Sequence, residues 1–103
     1  AMGAALFAEP ISAQQADAWG MIWEAVPDAS FEAHWHARAA HLAAGPTEAY
    51  GNIKRAIRDS WDHSFKGQMD VEARLQGKCG RTRDFQEGVL AFRDKRPATF
   101  EGR

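Results

Sequence analysis

The side chains best suited to hold a metal ion are four histidines and one cysteine. His34, His36 and His41 fall on one predicted helix, but no pair of them stands three or four residues apart. His34 and His41 are separated by about 10 Å along a helix axis, which is too far to share one ion. His63 and Cys79 are distant in sequence. We therefore expect solvated histidines and no metal site.

Two pairs of carboxylates, Asp59 with Asp62 and Asp84 with Glu87, have the i, i+3 spacing that places two acids on one helix face. A general acid needs a buried setting that raises its pKa, whereas both pairs fall at predicted helix ends or on the surface. The chain also has no Gly-rich phosphate loop and no G-x-S-x-G nucleophile motif. We therefore predict no catalytic residue.

The last helical segment offers a different kind of chemistry. Phe85, Val89 and Phe92 follow a 3.6-residue period, and Lys95 stands three residues beyond Phe92, so that a ring and a cation share one predicted face. Pro97 is predicted to end this helix. The pair could bind a flat, anionic ligand, or the helix could simply bury its apolar face and leave the lysine in solvent.

Caps and apolar periodicity predict the helices that position these residues. Ala1–Phe7 is helix-like, residues 21–26 form an extended connector, and no strand finds a partner. Further helices are predicted for residues 12–20, 27–45, 46–61, 64–78 and 82–96. Ser12 is expected to cap the first of these, Asp28 or Ser30 the second, and Thr82 the last. Their predicted inner faces are Phe31, Trp35, Ala39 and Leu42; Tyr50, Ile53, Ile57 and Trp61; and Phe65, Met69, Glu72, Leu75 and Cys79. The fold is predicted to be all-α.

Composition limits the class of protein. The chain has 103 residues, of which 45% are hydrophobic and 26% are charged, as in an ordinary globular domain. A formal net charge of −1 argues against nucleic acid as a partner. No apolar run approaches the roughly 20 residues of a membrane span, and no charged-then-apolar leader is visible. The single cysteine fits a reducing compartment, so we expect a cytoplasmic protein.

Two stretches resemble the crotonases, the enoyl-CoA hydratase/isomerase superfamily. Residues 11–27 read ISAQQADAWGMIWEAVP, similar to the family segment I-S-A-x-x-A-x-x-x-G-L-V-x-x-V-x-P. Residues 84–96 read DFQEGVLAFRDKR, similar to the closing D-F-x-E-G-V-x-A-F-x-x-K-R. Order and separation also agree, so the resemblance covers the whole chain. Within the family, Trp19–Trp23 is most similar to the ring 1,2-epoxyphenylacetyl-CoA isomerases of phenylacetate catabolism.

The resemblance implies an all-α C-terminal helical region of the crotonase fold, residues 1–103, with about five to six helices. It implies a lid and trimerisation role and a parent that acts on an acyl-CoA thioester. The family's ββα-spiral core, with its oxyanion hole and acid/base carboxylates, would lie upstream. The chain alone is therefore expected to be inactive, to need no cofactor of its own, and to associate as a homo-oligomer, a trimer or hexamer in the parent.

The resemblance gives Phe92 and Lys95 a role, because they match the family positions A-F-x-x-K. There the ring and ammonium approach coenzyme A bound mainly by a neighbouring subunit. One departure is the tail, since the family usually has K-R-x-P-x-F and this chain has its proline, Pro97, one place earlier. The alternative reading is a stand-alone helical protein–protein interaction module.

Overall fold

The computed structural model describes residues 2–103, so Ala1 of the predicted first helix lies outside the described residues. The described part has six α-helices and no strand, as the sequence predicted. The helices are α1 (Met2–Phe7), α2 (Ala13–Ala18), α3 (Asp28–Ala43), α4 (Thr47–Asp59), α5 (Phe65–Cys79) and α6 (Arg83–Asp94). A 3₁₀ turn, Ser60–Asp62, follows α4. None of the helices in this range has the length and apolar character that crossing a membrane requires. The chain divides into two compact units, one ending at His36 and one running from Ala37 to Arg103.

In the first unit, capping and a glycine turn define α2. The Ser12 hydroxyl accepts a hydrogen bond from the Gln15 N–H at 3.1 Å, which satisfies one of the free donors of the first turn. Gly20 ends the helix with φ +68°, a conformation that residues with a Cβ rarely adopt. The Asp17 carboxylate accepts from the Ala25 N–H at 3.1 Å, which ties the connector back to α2. The connector forms no strand, as predicted.

The start of α3 differs from the prediction that Asp28 or Ser30 caps it. Asp28 is the first helical residue, and Ser30 lies inside the helix. The Ser30 hydroxyl donates to the Pro27 carbonyl at 3.1 Å instead of accepting from a backbone N–H. Pro46 likewise stands one place before α4, as its N-cap, rather than at the first helical position.

In the second unit, α4 and α5 pack as an antiparallel pair. The Lys78 ammonium, near the end of α5, lies 3.0 Å from the Glu48 carboxylate at the start of α4. Farther along, the Gln68 side chain, near the start of α5, donates to the Ala56 carbonyl in the second half of α4 at 3.2 Å. Ser64, where the predicted helix begins, is the N-cap of α5 and accepts from the Gly67 N–H.

The predicted buried faces of α3, α4 and α5 are largely exposed. Trp61 is 91% exposed and Phe65 is 83% exposed. The buried apolar residues of the described chain are instead Val71 and Ala91. Helical periodicity finds an apolar face, but it cannot say whether the chain itself covers that face.

Candidate functional site

The buried face of α6 lies about a third of a turn from the apolar stripe that periodicity picks out, and Gly88 stands where the two meet. Thr82 caps the helix, as predicted, by accepting from the Phe85 N–H. Asp84 and Ala91 are 4% and 3% exposed, and Gly88 and Glu87 lie on the same side. Residues 96–103, the tail, return along this side. A Cβ on Gly88 would stand 3.8 Å from the Phe100 ring, which shows how closely the tail approaches.

Phe92 lies on the uncovered side of α6 and is 88% exposed. Phe85 and Val89 lie beside it and are about half exposed. Together with Gly88, these three side chains line a shallow apolar surface. The described residues therefore cover Phe85 and Val89 only in part and leave Phe92 uncovered.

Lys95 does not continue the helix, so its predicted i, i+3 place on the face of Phe92 is wrong. The helix ends at Asp94, three residues before Pro97, and Lys95 adopts the left-handed conformation with φ 52° and ψ 42°. Its N–H still donates to the Phe92 carbonyl at 3.3 Å, and the next N–H, of Arg96, donates to the Ala91 carbonyl at 3.0 Å. This is the hydrogen-bond pattern that closes many helices. The backbones of Phe92 and Lys95 thus stay within one turn of each other.

A two-pronged ion pair lies next to Lys95. The Arg96 guanidinium donates to both carboxylate oxygens of Glu87, at 2.6 and 2.8 Å. The Glu87 carboxylate also accepts from the Thr99 N–H at 2.8 Å. The hydrogen bonds from Arg96, and then that from Thr99, lower the pKa of Glu87 from its ordinary 4.5 to about 2. The same contact raises the pKa of the Arg96 guanidinium.

Asp84 holds the far end of the tail; it lies in the first turn of α6, as the helix-end prediction had it, but it is buried rather than on the surface. Its two carboxylate oxygens accept from the backbone N–H groups of Glu101 at 2.7 Å and Gly102 at 2.9 Å. Its own N–H donates to the Arg103 carbonyl at 3.0 Å. Asp84 and Glu87 therefore hold the tail against α6. No local sequence pattern predicts this role, because the tail residues that they contact are far away along the chain.

Among the cations near Phe92 at the end of α6, one has no carboxylate partner within residues 2–103. Arg93 pairs with Asp94 at 2.8 Å, and Arg96 pairs with Glu87. Lys95 is exposed and has no ion-pair partner among residues 2–103. The end of α6 therefore carries an exposed ring and, within one turn of the backbone, a lysine without an ion-pair partner among residues 2–103; the two residue types suit a flat, anionic ligand.

The predicted metal and acid/base candidates take other places. His34 lies 2.7 Å from the Glu24 carboxylate, His36 stacks on Trp35, and the His63 ring lies 3.3 Å from the Gln68 side chain. No three metal-ligating side chains come together in the described part of the chain.

Comparison with known proteins assigns the chain to a family. The sequence profile described as Enoyl-CoA hydratase/isomerase matches residues 1–103. The chain belongs to the enoyl-CoA hydratase/isomerase family. It is 54% identical over its full length to a Rhodobacter capsulatus protein named "Probable enoyl-CoA hydratase", covering 40% of that protein. It is 42% identical to the 1,2-epoxyphenylacetyl-CoA isomerase of Escherichia coli, covering 39% of it.

Solved structures agree with this family assignment. An enoyl-CoA hydratase from Geobacillus kaustophilus superposes with a TM-score of 0.86 at 30% identity, over 95% of this chain and 37% of that one. An enoyl-CoA hydratase/isomerase family structure from Mycobacterium abscessus gives a TM-score of 0.89 at 30% identity, over 98% of this chain and 39% of that one. The chain spans about two-fifths of the length of these relatives. This agrees with the predicted helical part of a crotonase, and the all-α fold is confirmed.

Proposed function

We propose that residues 1–103 are the C-terminal helical domain of a longer enzyme that acts on an acyl-CoA thioester, and that this domain covers coenzyme A and mediates oligomerisation. The catalytic groups, which must stabilise charge on the thioester oxygen, would come from the rest of that enzyme. The observation that carries the proposal is that Phe92 is exposed and that Lys95, whose N–H bonds to the Phe92 carbonyl, has no ion-pair partner among residues 2–103, at positions that match the family's A-F-x-x-K.

The chemistry of coenzyme A suits both side chains. Its adenine offers a flat face, against which the Phe92 ring can stack. Its phosphates carry negative charge that the Lys95 ammonium can meet as a point charge. Neighbouring acids do not oppose this contact, because Glu87 and Asp94 are each paired with an arginine.

A charge-specific test uses the full-length protein with Lys95→Met, which keeps the length of the side chain and removes its charge. Calorimetry should show coenzyme A binding about two- to fivefold more weakly, the range expected for one exposed ion pair. Phe92→Ala should cost about tenfold through lost stacking. Lys66→Met is the matched control, because Lys66 is exposed on α5 and also lacks an ion-pair partner within residues 2–103.

Two results would contradict the coenzyme A contact. Unchanged affinity in Lys95→Met would remove Lys95 from the site, and an equal loss in Lys66→Met would point to a general charge effect. A full-length protein that binds no coenzyme A at all would favour the alternative, a helical protein–protein interaction module.

Oligomerisation is supported by the apolar side chains that this chain leaves uncovered. Trp23, Trp61 and Phe65 are each more than four-fifths exposed, and such surfaces associate in water. We infer a homo-oligomer, a trimer or hexamer in the full-length protein. Sedimentation equilibrium should show association that Trp61→Ser weakens, and a monomer at high concentration would contradict this inference.

Two reactions remain candidates for the full-length enzyme, each supported by one relative. The Escherichia coli relative is a 1,2-epoxyphenylacetyl-CoA isomerase, which supports ring-epoxide isomerisation in phenylacetate catabolism. The Rhodobacter capsulatus relative supports hydration of an enoyl-CoA. Assaying the full-length enzyme with both thioesters, and following each product by mass spectrometry, separates the two.

A further inference from the structure

We propose that Glu87 is a positioning residue for Lys95: through Arg96 and the tail, it holds the backbone conformation from which the Lys95 side chain reaches the ligand. The inference rests on the proposed coenzyme A contact and adds to it the group that sets its geometry.

The backbone of Lys95 is in a conformation that it does not prefer. A residue with a Cβ is disfavoured at φ 52°, and glycine or asparagine usually occupies this place at a helix end. Such a conformation persists when neighbouring contacts determine it. On the helix side, these contacts are the N–H groups of Lys95 and Arg96, which bond to the last-turn carbonyls of Phe92 and Ala91.

On the tail side, Glu87 supplies the contacts. Its carboxylate receives both nitrogens of the Arg96 fork and the Thr99 N–H, so it fixes the tail before and after Pro97. The Arg96 fork also donates to the Pro97 carbonyl at 3.1 Å. Glu87 lies in α6, about two turns before the residue Lys95 that follows the helix, so the peptide of Lys95 is held between α6 and a tail tied back to α6.

The two-pronged geometry matters for the ligand as well as for the backbone. While Arg96 is engaged by Glu87, Lys95 is the cation that remains available to a phosphate at this end of α6. Release of the tail would let Lys95 leave the left-handed conformation and sample other directions. A ligand that needs one conformation then binds more weakly, by the fraction of molecules that still hold it.

The experiment is a double-mutant cycle for coenzyme A affinity in the full-length protein, using Glu87→Gln, Lys95→Met and the two combined. Glu87→Gln keeps the size of the side chain and removes the charge that holds Arg96. We expect it to weaken binding about twofold or more, without exceeding the effect of Lys95→Met. The combined variant should bind as Lys95→Met does, because Glu87 acts through Lys95. Glu32→Gln, an exposed glutamate of α3, is the matched control.

A second readout follows the backbone directly. Endoproteinase Lys-C cuts after lysine only where the chain opens locally, so the rate of cleavage between Lys95 and Arg96 reports release of this turn. Glu87→Gln should raise that rate at least about threefold relative to cleavage after Lys66. The Glu32→Gln control should leave the ratio unchanged.

The outcomes separate the two proposals. If Lys95→Met leaves the affinity unchanged, the coenzyme A contact itself fails, and the positioning role falls with it. If Lys95→Met weakens binding but Glu87→Gln does not, the contact stands and the positioning role is overturned. Additive losses in the combined variant, tighter binding through a released Arg96, or an unchanged cleavage ratio would also overturn it.

Discussion

Replacing Asp84 with asparagine tests whether a single buried carboxylate anchors the end of the tail. The Asp84 carboxylate accepts one backbone N–H on each oxygen, from Glu101 at 2.7 Å and from Gly102 at 2.9 Å. Asparagine keeps one acceptor oxygen and turns an N–H₂ group towards the other donor. The substitution therefore removes one hydrogen bond to a charged group and leaves a donor facing a donor.

The magnitude follows from these contacts. A hydrogen bond to a charged group contributes about 1.5–3 kcal/mol, and Asp84 is 4% exposed, so water does not readily replace it. The free energy of local opening at Glu101 and Gly102 should fall by that amount, which corresponds to about a 10- to 100-fold loss of protection. If the free energy of local opening of the tail is smaller than this loss, both amides should exchange as fast as they do in an unfolded chain.

Native-state hydrogen exchange, followed by NMR at the amides of Glu101 and Gly102, measures the effect. Asp70→Asn makes the same chemical change on the exposed surface of α5, where Asp70 has no hydrogen-bond or ion-pair partner within residues 2–103. Its effect should stay within about 0.5 kcal/mol. Unchanged protection in Asp84→Asn, or an equal loss in Asp70→Asn, would refute the role of Asp84 as the anchor.

The remaining predictions concern pH, glycine and a helix cap. The pKa of Glu87 is lowered to about 2, so its contribution is complete above pH 4.5 and is lost as the pH falls towards 2. The protection factor of the Thr99 amide, taken against the intrinsic exchange rate at each pH, should fall in that window, and Glu87→Gln should abolish this fall. Gly77→Ala should stabilise the chain by up to about 1 kcal/mol in urea unfolding, because a Cβ there meets nothing within 4 Å inside α5. Gly20→Ala should destabilise by about 1–2 kcal/mol, because its φ is +68°; a gain in stability would contradict the assigned turn. Ser64→Ala should cost about 1 kcal/mol by removing the N-cap of α5, and Ser64→Asp should restore most of it.

The parts of the fold that depend on neighbouring residues could be predicted from the sequence. Ser12 and Thr82 cap the helices that they were expected to cap, and Ser64 caps α5 in the same way, because each contact spans only three residues. Gly20 and Gly80 stand at helix ends for the same local reason. Capping, helix breaking and apolar periodicity are short-range effects, and together they determine an all-α chain.

The parts that depend on the return of the tail could not be predicted in this way. The contacts of Asp84 with residues 101–103 span up to 19 positions, and no local rule connects them. The left-handed backbone conformation of Lys95 was not predicted, because lysine has no preference for it. The hydrogen bonds to the last turn of α6 and the contacts that fix Arg96 determine this conformation instead. The matching residues correctly indicated the family, while spacing alone placed Lys95 on the wrong face.

The small core of this chain bears on how its stability should be measured. With Val71 and Ala91 as the buried apolar residues of the described part, little of the hydrophobic free energy of folding comes from within one copy. In the proposed assembly, association supplies the difference, and mass action then links folding to protein concentration. The unfolding midpoint then depends on protein concentration as well as on the sequence. A substitution that weakens association, such as Trp61→Ser, should raise the protein concentration that the folded chain needs.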